Sequence, residues 1–260
     1  MTIPKFTEQG AGDTAIFILH GVGGGLQAWA QTLPALAAHG YRAIAWDAPG
    51  YGGSALVEPY TTGELARVLH KLIAHVGARR NVVLGHSMGG MIAQEAVALE
   101  PAPIDGLILF ATSPAFGKPG GDWQQQFLQS RFAPLDAGAG VAGLAPELVR
   151  GMFGPGASGA DMAAAAKVMS DVPEATYRAA LSAIVSFNRL DNLPHIHVPT
   201  LCLACELDKN AAPAVMEKMA ARIPAAEYVC LPGLGHLGNL EQPDAFNAAV
   251  LKFLNQYFPT

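Results

Sequence analysis

The chain is poor in charge and in cysteine, and it contains no long apolar run. Only 14% of its 260 residues are charged, whereas 51% are hydrophobic, and the net charge is −5. No basic excess is present to neutralise phosphates, which argues against a nucleic-acid-binding protein. No apolar stretch is long enough to span a bilayer, and residues 1–8 lack the apolar core of a signal peptide. The composition predicts a compact cytoplasmic protein that binds neither nucleic acid nor membrane.

Three cysteines are too few for a disulfide framework. Cys202 and Cys205 have the spacing of a metal or redox pair, but both fall in a predicted strand. Residues three apart on a strand face opposite sides of a sheet, and no second ligand pair follows. We therefore expect two core cysteines, no metal and no organic cofactor.

Apolar runs alternate with helical patterns along most of the chain. Strands are predicted at residues 14–19, 41–46, 82–84, 104–110, 198–205 and 227–231. Helices are predicted at residues 26–38, 60–76, 91–99, 211–222 and 243–257. This alternation predicts an α/β fold with a mainly parallel, twisted sheet and helices on both faces.

One segment interrupts the alternation. Between residues 112 and 192 the strand patterns disappear and Gly, Pro and Ala are abundant, with helical stretches near 122–132, 146–152, 160–169 and 174–188. An insertion of this length is seldom bare loop. We expect a helical lid (113–192), inserted after the strand that ends near Phe110, on a core made of residues 1–112 and 193–260. Residues that could line its underside, or form its own core, are Trp123, Phe127, Phe132, Met152, Phe153 and Phe187.

Gly85-His86-Ser87-Met88-Gly89 lies between a predicted strand and a predicted helix. Glycines two residues before and after the serine leave room for a strained turn, because they carry no Cβ. The serine hydroxyl would project from the tip of that turn, close to backbone N–H groups of the helix N-terminus. A Gly-rich structural turn is the alternative, but the flanking strand and helix favour a mount for a nucleophile.

His236 is the candidate base for this serine. It follows the last predicted strand, and its flanking glycines suit a loop that presents an imidazole to a crowded site. The orienting acid should lie between nucleophile and histidine along the chain. Asp208 follows a predicted strand at the sheet edge where α/β proteins bind ligands. It could instead cap the next helix, and Glu206 and Asp191 are alternative acids.

These motifs together resemble the α/β-hydrolase superfamily over essentially the whole chain. The matching pieces are His20-Gly21 after a strand, Asp47-x-Pro49-Gly50-x-Gly52-x-Ser54, the Ser87 turn, the Asp208 loop and Gly235-His236. The resemblance implies an α/β-hydrolase fold, a triad of Ser87, His236 and Asp208, and an oxyanion hole made by the backbone N–H groups of Val22 and Met88. Expected substrate contacts are His20, Gly21, His86, Trp123, Phe127, Phe153 and Phe187.

Within that superfamily the chain looks most like small lidded serine esterases, in particular 3-oxoadipate enol-lactonases. The implied reaction is hydrolysis of a small ester or enol-lactone through an acyl-enzyme on Ser87, in the breakdown of aromatic compounds. A C–C bond hydrolase of meta-cleavage products, a perhydrolase or haloperoxidase, and a weakly catalytic ligand receptor remain open. C–C hydrolases often carry Asn where His86 stands, which favours ester chemistry.

Two further expectations concern the N-terminus and the assembly. The residues before Thr14 are too few for the longer N-terminal strand pair of most superfamily members. The expected partner is a small-molecule substrate, and a homodimer is an open alternative to a monomer.

Overall fold

The computed structural model describes residues 2–117, 121–224 and 226–260, so residues 118–120 of the expected lid lie outside the described ranges. A 7-stranded sheet has the order β1-β3-β2-β4-β5-β6-β7. Its strands are β1 (Phe6–Gln9), β2 (Thr14–Leu19), β3 (Arg42–Trp46), β4 (Arg80–His86), β5 (Gly106–Phe110), β6 (Thr200–Cys205) and β7 (Ala226–Leu231). β1 pairs antiparallel with β3, and every other pairing in this sheet is parallel. The predicted α/β fold with a mainly parallel sheet is confirmed.

Helices follow the strands and pack on both faces of the sheet. They are α1 (Thr32–Ala38), α2 (Thr62–Val76), α3 (Met88–Leu99), α4 (Asp122–Asp136), α5 (Gly140–Arg150), α6 (Gly159–Ser170), α7 (Glu174–Val185), α8 (Pro213–Ala220), α9 (Gly238–Glu241) and α10 (Pro243–Tyr257). Short 3₁₀ turns lie at Leu26–Trp29 and Leu190–His195. Cys202 packs in the core on one face of the sheet and Cys205 in the core on the other, as their spacing predicts.

The helix predicted over residues 26–38 is two elements rather than one. Leu26–Trp29 forms a 3₁₀ turn, and α1 begins only at Thr32. Pro34 explains the break, because a proline inside a continuous helix would lack the N–H needed to bond the preceding turn. In α1 it lies in the first turn, where that N–H has no partner to lose.

β1 is an edge strand that the sequence patterns do not predict. Its residues are half-buried or exposed, so the segment has no apolar run. Phe6 pairs with Trp46 and Gln9 with Ala43, which gives the short segment before Thr14 one antiparallel partner. An ion pair between Glu8 and Arg42 also joins the two strands.

Four helices, α4 to α7, lie between β5 and β6, where the sequence predicts a helical insertion. They pack on one another, and α6 also contacts the 3₁₀ turn after β2. Among the helices in the described ranges, none is both long enough and apolar enough to cross a bilayer. The insertion lies above the carboxyl ends of β4 and β6, next to the loops that carry the candidate site residues.

Candidate active site

Ser87 has a strained backbone at the junction of β4 and α3. Its φ of 52° and ψ of −115° are unusual for a residue with a side chain, at a cost on the order of 1–3 kcal/mol. Two hydrogen bonds hold this conformation: Ser87 N–H donates to Phe110 O at 3.0 Å, and Thr112 Oγ1 donates to Ser87 O at 2.7 Å. The surrounding structure therefore imposes the turn and fixes the direction of the serine side chain.

The glycines around Ser87 are required by close backbone contacts. A Cβ on Gly85 would overlap with the Gly89 carbonyl, and a Cβ on Gly89 would overlap with the backbone of Leu19. Because backbone atoms cannot move aside as a flexible side chain can, neither position accepts a larger residue. This explains in steric terms the spacing from which the turn was predicted.

His236 and Asp208 form a buried hydrogen-bonded pair. His236 Nδ1 lies 2.8 Å from Asp208 Oδ2, and both side chains are buried. The second carboxylate oxygen, Oδ1, accepts backbone N–H groups of Asn210 at 2.7 Å and Ala211 at 3.0 Å. Burial by itself would raise the pKa of Asp208, but the hydrogen bond and charge of His236 and the two N–H donors outweigh it and hold that pKa below its ordinary value. Asp208 thus orients the imidazole and also stabilises its own loop.

The alternative acids lie elsewhere. Glu206 is exposed and accepts the Gly233 N–H, and Asp191 is exposed on a 3₁₀ turn. Neither carboxylate hydrogen-bonds to His236 within the described ranges. Ser87 and His236 line the same cavity without a direct hydrogen bond between them in this part of the chain. Such a bond often tightens only when substrate is bound.

His86 supports the His236 loop from below. Its Nε2 lies 2.9 Å from the carbonyl oxygen of His236, so this nitrogen carries the proton and donates. Burial, assisted by repulsion from His236, lowers the pKa of His86 to about 3. His86 is therefore a neutral hydrogen-bond donor that positions the catalytic candidate, although its ring also borders the cavity.

Glu241 joins the His236 loop to the lid. Its Oε1 accepts the Gly235 N–H at 2.8 Å, and its Oε2 accepts the Gly154 N–H at 2.9 Å. In the same place His236 N–H donates to Met152 O at 2.6 Å. The loop after α5 and the histidine loop are consequently held together by three hydrogen bonds.

His20 holds the loop that follows β2. Its Nε2 accepts the Ala48 N–H at 3.0 Å, so the proton must be on Nδ1, which donates to Gly21 O at 2.8 Å. Burial lowers the pKa of His20 and keeps the ring neutral. Both ring nitrogens are occupied by the protein, which assigns His20 to positioning rather than to polar contact with substrate.

The Val22 N–H belongs to the same peptide group as the Gly21 carbonyl, and it points away from the hydrogen bonds that this carbonyl accepts. Gly21 O also accepts the Gly24 N–H at 3.0 Å, and in a trans peptide the N–H points opposite to the carbonyl. Tyr51 donates its hydroxyl to Val22 O at 2.8 Å, which fixes the next peptide as well. Within the described ranges, neither Val22 N–H nor Met88 N–H has a hydrogen-bond acceptor. Two backbone donors are thus available near Ser87, one of them at the N-terminus of α3.

A cavity of about 470 Å³ lies between these loops and the lid. Of the residues predicted to contact substrate, those that line it are His20, Gly21, His86, Trp123 and Phe127. Trp123 and Phe127 stack at 5.9 Å between ring centroids, and Phe116 packs against both. The lining is mostly apolar, as expected of a small-molecule site.

Phe153 and Phe187, also predicted to contact substrate, are not among the lining residues. Phe187 is buried in the core, and its carbonyl accepts the Phe116 N–H. Phe153 packs half-buried against the main core, where its backbone is in close contact with Gly235. Phe132, a further candidate, lies beneath the guanidinium of Arg178. Neither residue is part of the described cavity lining, which corrects the prediction that Phe153 and Phe187 contact substrate: Phe187 is buried in the core, and Phe153 packs half-buried against it.

No cluster of three or more His, Cys, Asp or Glu side chains suited to a metal ion occurs in the described part of the chain. The sequence profile of the alpha/beta hydrolase family matches residues 16–249. The chain belongs to the α/β-hydrolase family.

Relatives with known structures share the whole fold of this α/β-hydrolase. An esterase from Thermogutta terrifontis, solved with malate bound, is 25% identical, with a TM-score of 0.87 over 97% of this chain and 93% of that one. The enol-lactonase of Burkholderia xenovorans LB400 is 26% identical, with a TM-score of 0.81 over 96% of each chain. A Mycobacterium tuberculosis protein provisionally named non-heme bromoperoxidase BpoC is 29% identical over 95% of this chain and 96% of its own length. Family membership and these relatives support a hydrolase activity.

Several residues that shape the site of this α/β-hydrolase have no distinctive sequence signal. Tyr51 lies inside the Asp47–Ser54 motif and Glu241 lies in the stretch after His236, so proximity to a motif is the only indication of either. Tyr177 and Arg131 line the cavity from lid helices. Their positions depend on how those helices are oriented, which a single sequence does not reveal.

Proposed function

We propose that this α/β-hydrolase is a serine-dependent hydrolase of small carboxylic esters or lactones, acting through an acyl-enzyme on Ser87. The observation that carries the proposal is that the N–H groups of Val22 and Met88 have no acceptor among the described residues and flank a strained serine. This serine shares a cavity with His236, the hydrogen-bond partner of Asp208. Unpaired donors fixed in place around a nucleophile are suited to the oxyanion of acyl transfer.

In the first half-reaction His236 Nε2 takes the proton of the Ser87 hydroxyl while Oγ attacks the substrate carbonyl carbon. The carbonyl oxygen becomes an oxyanion that accepts hydrogen bonds from the Val22 and Met88 N–H groups. Asp208, ionised at neutral pH, stabilises the imidazolium that forms. The bond to the alkoxy group then breaks, and the departing oxygen takes the proton from His236.

In the second half-reaction a water molecule replaces the alcohol. His236 takes a proton from the water, the hydroxide attacks the acyl carbon, and the same two N–H groups hold the second oxyanion. Collapse of this intermediate returns the proton to Ser87 and releases the carboxylic acid. Each half-reaction leaves the protonation of the site as it began, and no cofactor enters the balance.

The similarity to an esterase and to an enol-lactonase supports the ester or lactone class. The small, largely apolar cavity supports a small acyl group. The sequence resemblance implies a substrate from the breakdown of aromatic compounds, and an enol-lactone of that kind belongs to the class of esters and lactones.

Labelling by a fluorophosphonate tests the proposal. We expect mass spectrometry to locate one adduct on Ser87, and p-nitrophenyl esters of short acids to be hydrolysed. Ser87→Ala should lose both the adduct and the turnover, whereas Ser182→Ala, which removes an exposed lid serine, should retain both. An adduct at another residue, or full turnover by Ser87→Ala, would refute the serine mechanism.

A perhydrolase is the second candidate, because BpoC, named as a bromoperoxidase, matches almost the full chain. In that reaction hydrogen peroxide replaces water as the nucleophile that attacks the acyl-enzyme. Peroxide- and carboxylate-dependent bromination measured beside ester hydrolysis separates the two functions. Bromination that exceeds hydrolysis under matched conditions would favour the perhydrolase.

A further inference from the structure

The lining of the cavity includes two cationic side chains although the chain as a whole is acidic. Its charged lining residues are Arg131 on α4, Asp161 on α6 and Lys209 beside Asp208, whereas the net charge of the chain is −5. The Asp161 carboxylate already accepts a hydrogen bond of 2.6 Å from Ser158 at the start of α6. Arg131 and Lys209 form no ion pair with any described residue. Two cationic residues therefore line the cavity without an ion-pair partner in the described part of the chain.

Arg131 is the better placed of the two cations. Lys209 is exposed, whereas Arg131 is half-buried, and its guanidinium carbon lies 5.2 Å from the centroid of the Phe127 ring. Stacking on an aromatic face limits where the guanidinium can move, while its N–H groups still point outward in the plane of the group. Phe127 is itself part of the cavity wall, so the charge is held at that wall.

Arg178 provides an internal comparison. Its guanidinium also lies over a ring, 5.0 Å from the centroid of Phe132. However, Arg178 is paired with Glu174 at 2.9 Å and with Asp136 at 2.7 Å, and it does not line the cavity. Arg131 and Arg178 thus both lie over a phenylalanine ring, but only Arg178 has ion-pair partners among the described residues.

Arg131 lines the same cavity as the groups around Ser87. Val22, Ser87 and His236 are part of the lining, and so is Tyr177 on α7. Burial raises the pKa of Tyr177, and the charge of Arg131 opposes that rise. A carboxylate held at Arg131 would therefore occupy the cavity that also receives the ester carbonyl at Ser87.

We infer that Arg131 binds a carboxylate on the acyl part of the substrate, so that preferred substrates are half-esters or lactones of dicarboxylic acids. This inference rests on the proposed hydrolase function. A guanidinium offers a planar fork of donors that matches the two oxygens of a carboxylate, and the apolar wall around it reduces competition from water. Hydrolysis at Ser87 then releases a dicarboxylate whose distal carboxylate was present in the substrate from the start.

Two substrates of equal shape test this inference. Mono-p-nitrophenyl glutarate carries a distal carboxylate, and p-nitrophenyl 4-carbamoylbutanoate carries a neutral amide in its place. Because a hydrogen bond to a charged group contributes about 1.5–3 kcal/mol, the wild type should favour the anionic ester in kcat/KM by about tenfold or more. The preference should fall as salt is added, because added ions screen the pair.

Variants of the two arginines assign the preference to one side chain. Arg131→Gln should bring the ratio close to one, chiefly by lowering kcat/KM for the anionic ester. Arg131→Lys should retain part of the preference, since it keeps the charge but not the fork. Arg178→Gln is the matched control and should leave the ratio as in the wild type. A ratio unchanged in Arg131→Gln would overturn the inference.

A measurement on the wild type alone covers the case in which Arg131→Gln does not fold. Glutarate should protect Ser87 from the fluorophosphonate at a concentration about tenfold or more below that of glutaramide, the neutral diamide that has no carboxylate for Arg131 to bind. Equal protection, or equal turnover of the two esters, would overturn the carboxylate site and leave the hydrolase proposal standing. Absence of any adduct on Ser87 would instead refute the hydrolase proposal, and the carboxylate inference with it.

Discussion

His86 should make the free energy of unfolding depend on pH in the mildly acidic range. In the folded chain its ring is buried between Phe110 and His236, and burial lowers its pKa from the ordinary 6.5 to about 3. In the unfolded chain the imidazole is exposed and keeps its ordinary pKa. Between these two values the unfolded chain binds more protons than the folded chain, so the free energy of unfolding falls as the pH falls.

The size of this effect follows from the unfolded pKa. At pH 5 the medium is about 1.5 units below that pKa, and each unit corresponds to about 1.4 kcal/mol, so folding loses about 2 kcal/mol relative to pH 8. Because pH 5 is still well above the folded pKa of about 3, the folded state remains neutral at His86. His20, whose pKa burial also lowers, should contribute in the same direction.

His86→Gln isolates the contribution of this one residue. Glutamine does not titrate, and its side-chain amide can still donate to the carbonyl of His236. In urea unfolding at pH 8 and pH 5, the wild type should lose about 2 kcal/mol more than His86→Gln between the two conditions. His197 is exposed, so His197→Gln should behave as the wild type. Equal losses in the wild type and His86→Gln would refute the assignment of His86 as a buried neutral histidine.

Three further substitutions test the site in other ways. Gly89→Ala places a methyl group against the backbone of Leu19, so we expect a loss of stability on the order of 1–3 kcal/mol or more in urea unfolding. Glu241→Gln replaces one of two accepting oxygens by a donor, and kcat should fall by about tenfold with little change in KM, since one hydrogen bond to a charged group is lost. Tyr51→Phe releases the carbonyl of Val22, so kcat for ester hydrolysis should also fall by about tenfold, and an unchanged kcat would argue against Val22 as an oxyanion donor.

The sheet was predictable because its central strands are buried on both faces. Such strands are continuous apolar runs, and β2 has the predicted bounds. The closing helix α10 also begins and ends where the sequence predicts. β1 was not predicted, because it is an edge strand held by backbone hydrogen bonds to β3 and its sequence shows no alternation of apolar and polar residues. The helix over residues 26–38 was predicted too long because its apolar spacing continues across Pro34, where the hydrogen-bond pattern cannot.

The residues around Ser87 were predictable because each satisfies a specific backbone requirement, and a strained turn between strand and helix admits few sequences. The lid offers no such constraint. An aromatic residue that fills the lid's interior, as Phe187 does, has the same sequence context as one that lines the cavity, as Phe127 does. Only the orientation of the helices separates them, and that orientation is set by packing between elements far apart in the sequence.

The residues that position the candidate catalytic groups lie mainly in the core, whereas Arg131 lies in the lid. Substitutions should therefore alter substrate preference more easily than they alter the catalytic rate. The groups that position Ser87, His236 and the two N–H donors come mainly from core loops, and His20 and His86 act there as neutral hydrogen-bonding supports. Arg131 lies on α4, which takes no part in those contacts. The exception is the loop after α5, which Glu241 ties to the histidine loop. Changes in α4 should therefore affect which acyl group binds, whereas changes at residues 152–154 should also displace the imidazole and lower the rate for every substrate.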